Sequence, residues 1–210
     1  GTVHEVEDLD LRRTCAMKVL RSHAYGDGTE YERFMREAEF AAGLDDPHVI
    51  RVFDRGELAK GVPYYTMELL RGRSLGATAE IEHRLPWARA RHIAIQLCRV
   101  LALVHARKIV HRDLKPDNCF LVTVDGDHDF LKLLDFGLAR GDSDSGDPRL
   151  TATSHVMGTA YYMSPQQARG AKVDHRADVY AVGVILYQLL AGELPFEGIN
   201  NLQVLEAIKN

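Results

Sequence analysis

Cysteine is scarce in this chain: three residues in 210, Cys15, Cys98 and Cys119, an odd number set far apart in apolar surroundings. That excludes a disulfide framework and leads us to expect reduced, buried thiols in a cytoplasmic setting. Long hydrophobic runs are missing too. The longest, residues 179–191, is broken by Tyr180, Tyr187 and Gln188, and falls short of the ~20 apolar residues that a membrane-spanning helix needs. Positive charge is not in excess, with 26 Lys and Arg against 30 Asp and Glu and a formal net charge of -4. Neither nucleic acid nor an anionic membrane surface is therefore expected as the main partner of this segment. The opening residues do not read as a secretory signal, and no internal repeat is visible. The chain starts at Gly1 and stops inside a helix-like stretch, "NLQVLEAIKN", so we expect a piece of a longer protein.

What is present suffices for one large or two small lobes, each with a core: 46% of the residues are hydrophobic and 27% charged. Residues 1–20 alternate in a way that predicts a strand pair around "DLDLRR". Phe34, Ala38, Ala41 and Ala42 recur at helical spacing between residues 30 and 44. Two strands, "HVIRVFDRGE" and "VPYYTMELL", follow across a turn at Lys60 and Gly61. After the polar stretch "RGRS", the segment 86–107 reads as an amphipathic helix with Pro86 at its start and Ile93, Leu97, Val100, Leu101 and Val104 on one face. A hairpin turning at Asp125-Gly126 comes next, then a polar Gly/Ser/Asp-rich stretch at 141–155, then mostly helix.

One short polar step between apolar runs carries the chemistry. "HRDLKPDN" at 111–118, with "DFG" at 135–137 and "CAMK" at 15–18, resembles the protein kinase family. The resemblance covers the whole chain in the family's order: Lys18, Glu37, "MELL" at 67–70, His111 to Asn118, Asp135 to Gly137, "GTAYYMSPQ" at 158–166 and "DVYAVG" at 178–183. DFG alone is weak, HRDLKPDN is specific, and seven motifs in order are hard to obtain by chance. The resemblance implies an α+β, bilobal protein-kinase-like fold, with a small β-rich lobe over residues 1–67, a hinge at 68–72 and a mainly helical large lobe from 73 to 210. It would lack the family's first strand and last helices.

Phosphoryl transfer requires an anionic nucleotide held in place, metal ions on its phosphates and an aligned acceptor hydroxyl, so charges must converge. By resemblance, Asp113 takes the hydroxyl proton, Lys115 stabilises the phosphoryl group in flight, and Asn118 with Asp135 ligate Mg2+, with Mn2+ also compatible. Lys18 would hold the ATP α- and β-phosphates, tethered by Glu37. Gly1 and Val3 look like the end of the glycine-rich loop. Val3, Ala16 and Phe120 would sandwich the adenine, the backbone of Glu68 and Leu70 would bond its edge, and Met67 would stand behind as gatekeeper. Without the motif frame these apolar residues would read as plain core.

Lys115 and Thr159 match the serine/threonine branch, and the wording of several motifs looks most like bacterial Ser/Thr kinases. Protein substrates with Ser/Thr acceptors are thus the implied partners. Arg33, Arg112 and Arg140 are placed to form a phosphate pocket, and Thr151 and Thr153 to be activation-loop phosphosites, compatible with a homodimer for trans-autophosphorylation. The plain alternative is a solvated loop. His4, His23, His48, His83, His92 and His128 lack metal-ligand spacing and are expected at the surface. Asp178 is expected to anchor the backbone of residues 111–112, a helix N-cap being the other reading. One departure from the family stands out: Ser164-Pro165-Gln166 replaces its Ala-Pro-Glu, which removes an ion pair. Because Lys18, Glu37, Asp113, Lys115, Asn118 and Asp135 are all present, an active enzyme is preferred over a pseudokinase that signals by contact, while Lys115 with Thr159 and the full activation segment disfavour a small-molecule kinase.

Overall fold

The computed structural model describes residues 1–20, 28–136, 160–196, 198 and 200–209. Strands β1 (Thr2–Asp8), β2 (Arg13–Val19), β3 (Val52–Leu58) and β4 (Val62–Met67) form an antiparallel sheet of order β1-β2-β4-β3. Asp8 closes the first hairpin, its carboxylate accepting from the Leu11 amide at 3.1 Å and from Arg13 Nε at 3.2 Å. Helix α1 (Gly28–Ala42) lays Phe34 and Ala38 against Tyr65 of β4, with the Phe34 and Tyr65 rings 5.0 Å apart. Ala41 enters the main core while Ala42 is exposed. One residue further on is about 100° further round a helix, so the apolar stripe takes only the first of the two.

The second half is mainly helical: α2 (Leu75–Glu82), α3 (Trp87–Ala106), α4 (Pro165–Ala168), α5 (Arg176–Ala191) and α6 (Asn201–Lys209). A small antiparallel sheet, β5-β6-β7, joins them, made of β5 (Gly72–Ser74), β6 (Cys119–Val124) and β7 (Asp127–Leu133). The expected face of α3 is buried at Ile93, Leu97, Val100, Leu101 and Val104, packed in one cluster with Ala181, Ile185 and Leu189 of α5 and Leu131 and Leu133 of β7. Each such aliphatic side chain contributes about 1.5–3 kcal/mol on burial. The β6-β7 turn takes positive φ at both Asp125 (49°) and Gly126 (86°), which is why Asp-Gly suits it.

Residues 48–50 stitch the two halves together. The Leu133 amide donates to the His48 carbonyl at 2.7 Å, and the Ile50 amide donates to the Leu133 carbonyl at 3.0 Å. Val49 and Ile50 thereby enter the same core as α3 and α5. The observed α+β architecture is the one implied by the motifs.

Four local expectations need correction. The "RGRS" stretch is not merely polar: it forms β5, and Ser74 caps α2 by accepting from the Ala77 amide at 3.1 Å. Pro86 precedes α3 as its N-cap instead of opening its first turn. Cys98 is exposed, since it lies on α3 away from the stripe that Leu97 and Leu101 bury, whereas Cys15 and Cys119 are buried. His48 is half-buried, stacked on Phe130 at 4.4 Å with Nδ1 2.8 Å from the Leu131 carbonyl.

Candidate active site

Sheet register brings the first group of residues together. Across β1-β2-β4, Val3 faces Lys18, Lys18 faces Tyr65, and Ala16 faces Met67. Directly opposed residues share a face, as do residues two apart, so Val3, Ala16, Lys18, Tyr65 and Met67 lie on one side. From there Lys18 Nζ reaches Glu37 Oε1 of α1 at 2.8 Å and Asp135 Oδ1 at 2.6 Å. Tyr65 donates its hydroxyl to the same Glu37 oxygen at 3.0 Å.

Two carboxylates compete for one ammonium here. Lys18 is pushed down by burial but drawn up more strongly by Asp135 and Glu37, so it stays charged. Asp135 is raised by burial, yet contact with Lys18 leaves it below the ordinary carboxylate range. Glu37 is the weaker competitor: burial and the negative Asp135 push it up to about 7, against the pull of Lys18. Asp135 keeps 47% of its side chain open to solvent, against 15% for Glu37. Both carboxylates hold the lysine, and Asp135 is the one with surface open to meet a ligand.

The second group sits on the loop between α3 and β6. Asp178, 1% exposed in α5, accepts from the His111 amide at 2.8 Å, the Arg112 amide at 2.9 Å and His105 Nε2 at 2.7 Å. These bonds hold Arg112 at φ 64°, a left-handed conformation that costs a non-glycine residue energy. Asp178 therefore anchors the backbone of residues 111–112. It is not the helix N-cap, a position held by His175 without a side-chain bond. His111 is fully buried beside Phe136, with ring centroids 5.5 Å apart, and desolvation holds it below its usual value so that it stays neutral. Phe136 packs edge-on against Phe40 of α1 at 5.0 Å, which ties Asp135 to both halves.

Downstream, Asp113 Oδ2 lies 3.9 Å from Lys115 Nζ. Asn118 donates its side-chain amide to the Asp113 carbonyl at 2.9 Å, and its own carbonyl accepts from the Leu134 amide at 2.8 Å. The loop and the Asp135 strand are thus fixed to each other. Because the Asn118 nitrogen is engaged, its side-chain oxygen is the atom left for a cation. A carboxylate and an amide oxygen form a hard donor set that fits Mg2+, which takes few protein ligands and completes its shell with water and phosphate oxygens. Among the described residues no cluster of three His, Cys, Asp or Glu could hold a metal by itself.

The full length of the chain, residues 1–210, matches the family model described as protein kinase domain. The chain belongs to the protein kinase domain family. It is 42% identical over 198 residues to the serine/threonine-protein kinase pkn3 of Myxococcus xanthus, covering 94% of this chain and 36% of that protein. It is also 42% identical over 199 residues to the serine/threonine-protein kinase PknB of Mycobacterium tuberculosis (strain H37Rv), covering 93% of this chain and 31% of the relative. PknB of Mycobacterium leprae is 41% identical over 199 residues, with the same two coverages. The kinase domain described here thus spans about a third of the length of these curated relatives.

The other residues singled out from sequence are spread over both halves of the molecule. Phe120 is half-buried on β6, Leu70 packs on the main core, and Gly1 and Val3 are exposed. The Glu68 amide donates to the Arg51 carbonyl at 2.9 Å. Arg33 and Arg112 are half-buried on α1 and the loop, while Arg140, Thr151 and Thr153 lie outside the described residues. Gln166 is exposed, and its neighbour Gln167 makes the structural contacts: it completes a capping box with Ser164 and donates Nε2 to the Arg112 carbonyl at 2.7 Å. Sequence reading missed Tyr65, His105, Gln167 and the Lys132 to Glu68 ion pair at 2.6 Å. Tyr65 is brought to Lys18 by the register of β4 against β2, which only the folded sheet shows.

Proposed function

We propose that this chain is the catalytic domain of a serine/threonine protein kinase that moves the ATP γ-phosphate to Ser/Thr hydroxyls of proteins. The observation that carries the reading is Lys18 gripped between Glu37 and Asp135, a cation positioned from both halves of the molecule at 2.8 and 2.6 Å. The 42% identity to bacterial relatives named as serine/threonine kinases supports it.

In this reading the sheet face of Val3, Ala16 and Met67, with Phe120 opposite, encloses the adenine, and Glu68 and Leu70 bond its edge. Lys18 orients the phosphates. Asp113 holds the acceptor hydroxyl and takes its proton, and Lys115 balances charge on the phosphoryl oxygens. Asn118 and Asp135 would hold the divalent ion, whose chemistry is to neutralise phosphate charge. The division at residues 67 and 72, the phosphate pocket of Arg33, Arg112 and Arg140, autophosphorylation at Thr151 and Thr153, and pairing of two copies for it belong to the same proposal.

The test is transfer of labelled phosphate from ATP with Mg2+ by the whole protein beside Asp113→Asn, with phosphosites mapped by mass spectrometry. Label on Thr151 or Thr153 in the parent and none in the variant is expected. Equal labelling of the two, or none in a parent that binds ATP, overturns the reading.

A further inference from the structure

We propose that an arginine-lined groove beside the small sheet docks extended acidic segments of protein partners, with carboxylates at alternate residues meeting Arg71 and Arg73. The groove has a volume of about 490 Å³ and lies along β5 and β6, lined by Arg71, Arg73, Arg89, His128 and Asp129, with Glu5 and Glu82 pairing to Arg71 and Arg89 from beside it. Of the three guanidiniums gathered there, Arg73 is the one that no carboxylate among the described residues matches.

The three arginines are not equivalent. Arg89 is fixed in the wall: both Asp129 oxygens accept from it, at 2.7 and 2.8 Å, and Glu82 takes a third bond. Its charge is already matched. Arg71 pairs with Glu5 at 3.1 Å, both side chains more than half open to solvent, and such a pair exchanges partners at little cost. Arg73 is exposed and has no ion pair among the described residues. One guanidinium is thus unmatched and a second sits in an exposed pair that can exchange, two positions apart in the chain.

That spacing selects the ligand. Residues two apart in extended backbone sit ~6.7 Å apart, and an extended peptide presents every second side chain at the same repeat. The planar fork of arginine pairs with carboxylates through two parallel bonds, which favours Asp or Glu at those positions. Between the two arginines Gly72 leaves the strand bare. A Cβ there would lie 2.0 Å from the Leu121 carbonyl oxygen, so the strand pair closes only around a glycine. Leu121 and Val122 form the buried back wall, on the strand that carries Phe120. The identity of the occupant as a protein rests on the proposed kinase activity; the chemistry of the groove does not.

The test is fluorescence anisotropy of the whole protein with a labelled peptide bearing Asp at alternate positions, and with its Asn counterpart. The Asp peptide should bind and the Asn peptide should be at least about tenfold weaker, the loss expected when charge-assisted bonds are removed. Arg71→Ala combined with Arg73→Ala should weaken the Asp peptide by about tenfold or more, with an unchanged melting temperature. If the double variant melts early, Arg73→Lys serves instead, since it keeps the charge and loses the fork; no loss of affinity there overturns the proposal. Equal binding of the Asp and Asn peptides overturns it, as does equally tight binding of a single-stranded oligonucleotide of the same charge, which would mark a generic polyanion site. An acceptor peptide carrying the acidic extension should show a lower KM than one without it, with the KM for ATP unchanged. Arginine-dependent peptide binding by a parent that transfers no phosphate would leave the docking site standing and the kinase reading fallen.

Discussion

The two charged groups of the site are built on opposite plans. Around Lys18, side chains reach across a gap: a lysine from β2, a glutamate from α1, a tyrosine from β4 and an aspartate from beyond β7 meet at their tips. Around Asp178, one buried carboxylate reaches backbone, fixing two amides of the 111–112 step and a histidine ring. The first arrangement can exchange partners, because its carboxylates compete for one cation and Asp135 is half open to solvent. The second cannot, because removing its acceptor strands a buried amide and leaves two part-buried partners without their shared carboxylate. The site thus combines an adjustable cation grip with a rigid loop, and each should fail in its own way.

The largest effect is expected from Asp178→Ala. Leaving two backbone amides and His105 without their shared acceptor should cost about 3 kcal/mol or more, seen as a markedly lower urea midpoint together with loss of phosphoryl transfer. Next comes Lys18→Met, which should cut transfer by about 100-fold or more, as loss of a preorganised charge does, while the unfolding midpoint moves far less than in Asp178→Ala. If the two variants lose equal stability, the contrast between the two plans is wrong. Tyr65→Phe sharpens it further. The ring would keep its packing on Phe34 and lose only the bond to Glu37, so transfer should fall by roughly tenfold or less with the fold intact, the size of one hydrogen bond to a charged group.

The smallest effect is on pH dependence. Burial holds His111 below its ordinary value of 6.5, so the unfolded chain takes up a proton that the folded loop refuses. The stability from neutral His111 is fully present above that value and lost as pH falls below it. Urea midpoints at pH 7.5 and 5.5 should therefore differ less in His111→Phe than in the parent.

Elements with a clear period were legible in the sequence: the stripe of α3, the Asp-Gly turn, the alternation of β1 and β2. So was the order of charged motifs, since Lys18, Asp113, Asn118 and Asp135 sit in stretches whose residue types have few other uses together. β5 was not legible, because three residues are too short to show a period and Gly72 is there for the close approach of Leu121. α2 was missed as well, eight residues with little apolar contrast between its faces.

What the sequence determined by itself was the family and most of the secondary structure, because spacing and residue type are local properties of the chain. What only the tertiary structure decided was partnership. Lys18 meets Glu37 across 19 residues and Asp178 meets His111 across 67, while Arg71 and Arg73 come to share a groove with the distant Arg89. Those pairings depend on how helices and strands pack, and on which of several nearby charges wins when a buried group can satisfy only a few. No local pattern in the chain encodes that competition; it is resolved by distance and burial in the folded molecule.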